Sequence, residues 1–202
     1  MLVLALAIAL YGVTLAFVGE AMYPRVLVES FRMRPLGIFV HALCAAIALA
    51  VGPFQLDRRS LAPNRRPLHR TLGKVYVIAA LIGAGIGGAY MSVYSHGGIV
   101  THLGFGILAT LTFSTTAMAY IEIRRRRVRE HREWMIRSFA LLFAAVTLRL
   151  ELPLLIVMHA GAFTPAYQIV SWLCWVPNLV WAEWYVRKTG DRSVPLLQSS
   201  IT

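Results

Sequence analysis

The stretch Leu36–Phe54, LGIFVHALCAAIALAVGPF, decides the fold class. It is nineteen residues long and contains no Lys, Arg, Asp or Glu. A helix needs about 20 mostly apolar residues to cross the ~30 Å hydrocarbon core of a bilayer. The stretch therefore predicts a transmembrane helix, which carries one histidine, His41, near its beginning.

Five further apolar stretches of similar length lie on either side of this one. Together the six are Leu2–Val18, Leu36–Phe54, Val75–Val93, Ile99–Ile121, Met135–Met158 and Ile169–Val186. We therefore expect an all-α polytopic membrane protein with six transmembrane helices, in which the second to fifth form a central four-helix bundle. Because no soluble stretch is left over, residues 1–202 read as a single integral membrane domain.

The composition excludes an ordinary soluble domain. Hydrophobic residues make up 58% of the chain and charged residues 14%, and the mean hydropathy is +0.64. Soluble domains contain about 45–50% apolar and about 25% charged residues. The formal net charge is +11, but the basic residues form short clusters between apolar stretches. This pattern is typical of the loops that orient a membrane protein. We therefore expect the lipid bilayer as a partner and do not expect binding to nucleic acid.

The distribution of basic residues predicts the orientation. Sixteen of the 20 Lys and Arg lie on one side of the six predicted helices. They are Arg58, Arg59, Arg65, Arg66, Arg70, Lys74, Arg124, Arg125, Arg126, Arg127, Arg129, Arg132, Arg137, Arg187, Lys188 and Arg192. Loops rich in Lys and Arg stay on the cytoplasmic side. We therefore expect both termini to be cytoplasmic, in a bacterial inner (plasma) membrane.

Four of the six histidines form two pairs by depth. His41 and His102 lie near the beginnings of the second and fourth helices, which start on the extracytoplasmic side. His69 and His131 precede the third and fifth apolar stretches, which start on the cytoplasmic side. At ~1.5 Å per helical residue, the two levels lie roughly 20 Å apart. The sequence does not assign His96 and His159, at outer helix ends, to a pair.

Two imidazoles that face each other between helices can ligate six-coordinate haem iron. We therefore predict His41 and His102 as ligands of an outer haem b, and His69 and His131 as ligands of an inner one, so that one or two haems are bound. Simple hydrogen bonding across helices is the alternative for the outer pair. Contact with lipid phosphates or a structural role is the alternative for the inner pair, which lies closer to water and ranks second.

Arg149 is the remaining candidate for cofactor binding. An arginine inside a membrane span is costly, and it needs a partner. That partner is either a carboxylate such as Glu20 or Glu29, or a haem propionate or other anionic ligand that the guanidinium binds in bidentate fashion. If the fifth helix runs straight, Arg149 shares a face with His131, eighteen residues earlier.

The order of the four histidines resembles cytochrome b561 and its di-haem relatives. Those proteins have six spans and four histidines on the four central helices, paired second with fourth and third with fifth. The matching positions here are His41, His69, His102 and His131. The resemblance covers roughly residues 36–159 and implies a b-type haem protein that carries electrons. The inner pair departs from the family because it lies shallower and is followed each time by arginine.

The local sequences are also similar to a bacterial family of predicted membrane proteins of unknown function. Three motifs carry this similarity, and with Arg149 they cover most of the chain: H-x-x-x…G-P-F-Q from His41 to Gln55, H-R-x-x-G-x-x-Y from His69 to Tyr76, and H-R-x-W-M-x-R-S from His131 to Ser138. The similarity supports the fold and the importance of the His-Arg pairs, and implies no activity.

These observations favour a membrane electron carrier or an oxidoreductase subunit, with no catalytic residue of its own. Expected partners besides lipid are other subunits of a membrane complex, or a quinone or small reductant. A non-redox structural or assembly subunit of a larger membrane complex is the alternative. A third possibility is a small transporter that uses Arg149.

Overall fold

The computed structural model describes residues 1–22, 25–57 and 62–190, and within these ranges all regular structure is helical. Three of the basic residues that predict the orientation, Arg58, Arg59 and Arg192, lie outside the described residues. The long helices follow the apolar stretches of the sequence. The all-α class is therefore confirmed.

The α-helices are numbered in chain order. They are α1 (Leu2–Val18), α2 (Val28–Arg32), α3 (Pro35–Leu56), α4 (Arg66–Ala79), α5 (Gly88–Ser92), α6 (Ile99–Arg124), α7 (Val128–Leu142), α8 (Ala144–Met158), α9 (Phe163–Leu173) and α10 (Val176–Gly190). A π-helical segment, Ala80–Gly87, joins α4 to α5. Short 3₁₀ turns, Gly19–Met22 and Arg25–Leu27, lie between α1 and α2.

Four helices among the described residues are long and apolar enough to cross a membrane. They are Pro35–Leu56, Arg66–Ser92, Ile99–Arg124 and Val128–Met158, the last formed by α7 and α8 together. The first apolar stretch is a shorter helix of 17 residues. The last is divided into α9 and α10 at Cys174 and Trp175. The structure thus supports four of the six expected spans by length and composition.

Two of the long helices begin well before their apolar stretches. Pro67 occupies the first turn of α4, where its missing N–H costs nothing and its fixed φ favours the helix. In α7, Glu130 lies in the first turn, where a carboxylate is favoured by the helix dipole. As a result His69 and His131 lie inside helices and not in the preceding loops.

Small residues set the closest helix contacts. A Cβ on Gly12 of α1 would lie 3.1 Å from Cβ of Ala46 in α3. At Gly83, in the π-helical segment, the added atom would lie 2.5 Å from Cβ of Cys44. Because lipid offers no hydrophobic force between helices, such close packing is a main source of their association.

Candidate functional site

The candidate site lies at one end of the long helices, here called the arginine-rich end, where α3 ends, α4 begins, α6 ends and α7 begins. His69 lies in the first turn of α4 and His131 in the first turn of α7. Each is followed by an exposed arginine, Arg70 or Arg132. Both imidazoles are partly buried. The structure therefore places the two members of the predicted inner pair in the first turns of two helices at the arginine-rich end.

The ring orientation of His131 is fixed by the neighbouring helix. Its Nδ1–H donates to the carbonyl oxygen of Ala119 in α6, at 2.7 Å. This bond places a proton on Nδ1, so in the neutral imidazole Nε2 carries the lone pair. A backbone carbonyl bound to one ring nitrogen is the usual way of holding a metal-ligating histidine. The Ala119 carbonyl thus fixes the orientation of the His131 ring.

One turn deeper, an amide side chain lies between α3 and α4. Gly73 leaves room for Gln55, because a Cβ there would lie 3.2 Å from Oε1 of Gln55. The other amide atom, Nε2, is buried and has no hydrogen-bond partner among the described residues. A buried donor without a partner costs about 1–3 kcal/mol. This atom is a donor available to a bound group.

A chain of buried hydroxyl groups lies below this level. The Tyr76 hydroxyl and Ser138 Oγ are 2.8 Å apart, and Ser138 Oγ and Thr116 Oγ1 are 2.7 Å apart. All three side chains are inaccessible to solvent. Because Tyr76 and Ser138 are each seven residues after a histidine of the pair, they lie on the same helix faces as His69 and His131.

The glycine of G-P-F-Q accommodates an aromatic ring of α7. A Cβ on Gly52 would lie 2.3 Å from the Phe139 ring and 3.2 Å from the Tyr76 ring. Phe139 follows Ser138 directly, so it extends the H-R-x-W-M-x-R-S segment toward α3. The three sequence motifs thus meet in space: Gly52 and Gln55 from the first, His69 to Tyr76 from the second, and His131 to Ser138 from the third.

His41, at the opposite end, is held by the π-helical segment. Its Nδ1 donates to the carbonyl oxygen of Gly83 at 2.9 Å. A Cβ on Gly87 would lie 3.3 Å from Cα of His41, and one on Gly88 would lie 3.6 Å from its Cε1. π-Helical turns are rare and are frequent at functional sites. Here the glycines allow α3 to approach closely enough for this hydrogen bond.

His102 has different surroundings. Its Nε2 pairs with the carbonyl oxygen of Ser95, in the turn before α6, at 2.9 Å. It lines a shallow groove of about 230 Å³ whose other walls all come from α6. The hydrogen bonds of His102 and His41 go to different backbone carbonyls, those of Ser95 and Gly83. The structure therefore leaves the predicted outer pair in separate environments.

Arg149 lies in α8, beyond the break at Phe143. Its Nη1 donates to the carbonyl oxygen of Ala145 at 2.8 Å, and its guanidinium lies 4.9 Å from the centroid of the Tyr11 ring. It also interacts electrostatically with His41 and Tyr167. Tyr11 is thus the aromatic partner that the sequence did not predict. The expected partner Glu29 forms no ion pair with Arg149, and the side chain of Glu20 is outside the described part.

The two remaining histidines make local contacts. His96 Nε2 and Thr164 Oγ1 are 2.8 Å apart, which connects the turn before α6 to α9. His159 Nδ1 donates to the carbonyl oxygen of Leu155 at 2.8 Å. Within the described ranges, no three or more His, Cys, Asp or Glu side chains form a cluster that could hold a metal ion. A direct metal centre built from protein ligands alone therefore has no support in that part of the chain.

Sequence reasoning gave no role to two carboxylates near the arginine-rich end. Glu122 is 4% exposed and forms ion pairs with Arg125 at 3.2 Å and Arg127 at 3.4 Å. Glu183 of α10 accepts two hydrogen bonds from Arg137 of α7. The presence of single acidic residues inside arginine-rich or apolar segments is the signal that could have identified both.

The structure is that of a helical membrane protein. It has long apolar helices, close contacts at small residues, and a histidine pair in which each member is followed by an arginine. Residues 38–186 match the family described as predicted membrane protein DUF2306, and the chain belongs to that family. No curated protein and no solved structure matches the chain significantly. The family is of unknown function, so the activity has to be argued from the site.

Proposed function

We propose that the six apolar segments all cross the membrane and that the second to fifth surround the candidate site. The helix contacts support this arrangement: α3 packs on α4 and α7, and α6 packs on the π-helical segment and α7. The excess of basic residues at one end supports cytoplasmic termini in a bacterial inner membrane.

The proposed function is electron transfer by one b-type haem held between His69 and His131. The observation that carries this proposal is the position of these two imidazoles in the first turns of α4 and α7, at the arginine-rich end, with His131 held through Nδ1. Bis-imidazole ligation is a common way to bind haem for electron transfer, and helix bundles are a usual place for it.

The residues around the pair fit such a group. Gly73 leaves room for the Gln55 side chain, and Gln55 Nε2 is a buried donor without a partner in the described part of the chain. Haem, when bound, supplies one-electron chemistry at its iron. The roles of the chain are ligation by His69 and His131, orientation of His131 by the Ala119 carbonyl, and hydrogen bonding by Gln55. Below this level, the packed rings of Phe139 and Tyr76 exclude water.

The outer pair does not fit a shared group in its present surroundings. His102 Nε2 is occupied by the Ser95 carbonyl, and His41 packs against the glycines of the π-helical segment. The proposal is therefore limited to one haem, and ligation of a second haem by His41 and His102 stays a prediction. The sequence ranked the outer pair above the inner pair, because the inner pair lies closer to water. This proposal reverses that ranking.

The deciding experiment is an optical spectrum of the full chain, purified from haem-replete cells. We expect a Soret band and a sharp reduced α-band, with about one haem per chain. His69→Ala and His131→Ala should each remove this haem, because bis-imidazole ligation would require both histidines. His96→Ala and His159→Ala are matched controls and should retain it. A colourless, properly folded wild-type protein would reject the proposal.

A structural or assembly subunit is the competing function, and one observation favours it. Every histidine with a hydrogen bond given above bonds to a backbone carbonyl or to a threonine, as purely structural histidines do. In that case the wild-type preparation is colourless, and His131→Ala lowers stability without any spectroscopic change.

A further inference from the structure

We infer that Arg149, together with Tyr11, forms a binding site for the head group of a quinone within the membrane. This inference deepens the proposed electron transfer and rests on it for its purpose, but the binding itself can be measured without haem. The two residues come from α8 and α1, so the site is formed where two separate helices meet.

The first observation is the unused hydrogen-bonding capacity of Arg149. A guanidinium has five N–H donors, and only the Nη1 bond to the Ala145 carbonyl is made to a protein acceptor in the described ranges. None of the ion pairs found there includes Arg149. Unsatisfied donors of a charged group are costly in a membrane. A ligand with acceptor oxygens would satisfy them.

The nearby carboxylate does not neutralise this charge. Glu151 lies two residues further along α8, so it points to a different side of the helix. Its Oε2 is buried without a hydrogen-bond partner, and Glu151 interacts with Cys174 of the α9–α10 break. Arg149 instead faces the Tyr11 ring. Its surroundings are therefore aromatic and rich in donors, which suits a ligand with acceptor oxygens and a flat ring.

Depth in the membrane selects the class of ligand. Arg149 precedes the end of α8 at Met158 by nine residues, or about 13 Å along the helix. That distance is nearly half of the ~30 Å hydrocarbon core. A quinone reaches this depth through the lipid and carries two carbonyl acceptors, whereas a soluble anion would need a water-filled path.

A groove whose walls share a hydrophobic cluster with Tyr11 offers an approach from the membrane. Its volume is about 480 Å³, and it lies between α1, α2 and α3. The walls include Ala16, Phe31 and Phe39. Tyr11 packs in the same small hydrophobic cluster as Ala16 and Phe31. The size falls within the range of about 300–1,000 Å³ that is usual for small-molecule sites.

The test measures binding of decylubiquinone to the full chain in phosphatidylcholine nanodiscs, by equilibrium dialysis and by quenching of tryptophan fluorescence. We expect saturable binding by the wild type. Arg149→Leu should raise Kd at least about tenfold, since hydrogen bonds from a charged group are lost. Arg149→Lys keeps the charge beside Tyr11 but loses the planar fork, and it should also bind more weakly. Glu151→Gln is the matched control and should bind as the wild type does.

Absence of saturable binding by the wild type would overturn the inference, and so would equal Kd values for the wild type and both Arg149 variants. Because Arg149→Lys retains the positive charge, it keeps the test valid if Arg149→Leu does not fold.

Phosphatidylglycerol nanodiscs provide a further arm of the test. If anionic lipid displaces the quinone from the wild type but not from Arg149→Leu, the ligand is a lipid phosphate and the quinone assignment is wrong. Haem content is measured on the same samples. If a haem-free protein binds quinone, the quinone site is kept and electron transfer by haem is rejected. If the protein holds haem but does not bind quinone, the quinone site is rejected and electron transfer by haem is kept.

Discussion

Gly83→Ala should destabilise the protein by separating α3 from the π-helical segment. The added Cβ would lie 2.5 Å from Cβ of Cys44 and 2.6 Å from the backbone nitrogen of Ala45. Ordinary carbon contacts lie at about 3.5–4.0 Å, so one helix has to retreat by about 1 Å. Since the conflict involves backbone atoms, no side-chain rotation can relieve it.

The magnitude follows from two opposing terms. Alanine is favoured over glycine in helices by about 1 kcal/mol, whereas overpacking of a close contact costs about 1–3 kcal/mol. The retreat also stretches the hydrogen bond from His41 to the Gly83 carbonyl, a loss of about 1 kcal/mol. We therefore expect a net decrease of about 1–3 kcal/mol in the free energy of unfolding.

The assay is reversible unfolding by SDS titration in mixed micelles, followed by circular dichroism. Gly106→Ala is the matched control, because a Cβ there meets only the Ser92 side chain, at 3.4 Å or more. It should leave the unfolding free energy unchanged or slightly higher. The unfolding free energies of Gly83→Ala and Gly106→Ala should differ by more than about 0.5 kcal/mol, which is near the limit of additivity in such comparisons. A smaller difference would show that backbone contact at Gly83 does not limit the packing of α3.

Two further predictions concern the hydroxyl chain and the orientation. Tyr76→Phe removes one bond to Ser138, and Ser138→Ala removes the partner of both Tyr76 and Thr116. We therefore expect the unfolding free energy to fall by about 1 kcal/mol for Tyr76→Phe and by about 2 kcal/mol for Ser138→Ala in the same titration. Equal losses, or a larger loss for Tyr76→Phe, would contradict the hydrogen-bonded chain of hydroxyl groups. For the orientation, a cysteine at Ser95 should react with an impermeant maleimide from outside intact cells, whereas one at Arg126 should be protected, and the opposite labelling would reverse the proposed topology.

Apolar length was sufficient to predict the helical class, whereas the pairing of His69 with His131, which the resemblance implies, stays a prediction. The helix starts were not predictable in this way. Hydropathy falls as soon as arginines appear, but backbone hydrogen bonding continues through them, so α4 begins at Arg66 and α7 at Val128. Both histidines therefore lie within helices, although hydropathy alone placed them in the preceding loops.

Contacts made across helices were beyond what one sequence can give. The sequence has four glycines between residues 83 and 88, but it does not reveal the π-helical turn there or the hydrogen bond that this turn offers to His41. Arg149 was expected to share a face with His131 in a straight helix. The structure has a break at Phe143 between them, and the tyrosine partner of Arg149 lies on a helix more than a hundred residues away in sequence.

The length of the fifth span has a consequence for how the protein sits in lipid. Val128–Met158 is 31 residues long, or about 46 Å at 1.5 Å per residue, against about 30 Å of hydrocarbon. With α8 ending at the far interface, about one third of the helix overhangs into the head-group layer, and tilt absorbs part of the mismatch. His131 lies on that overhang, at the level of the lipid head groups of the leaflet that the proposed orientation makes cytoplasmic.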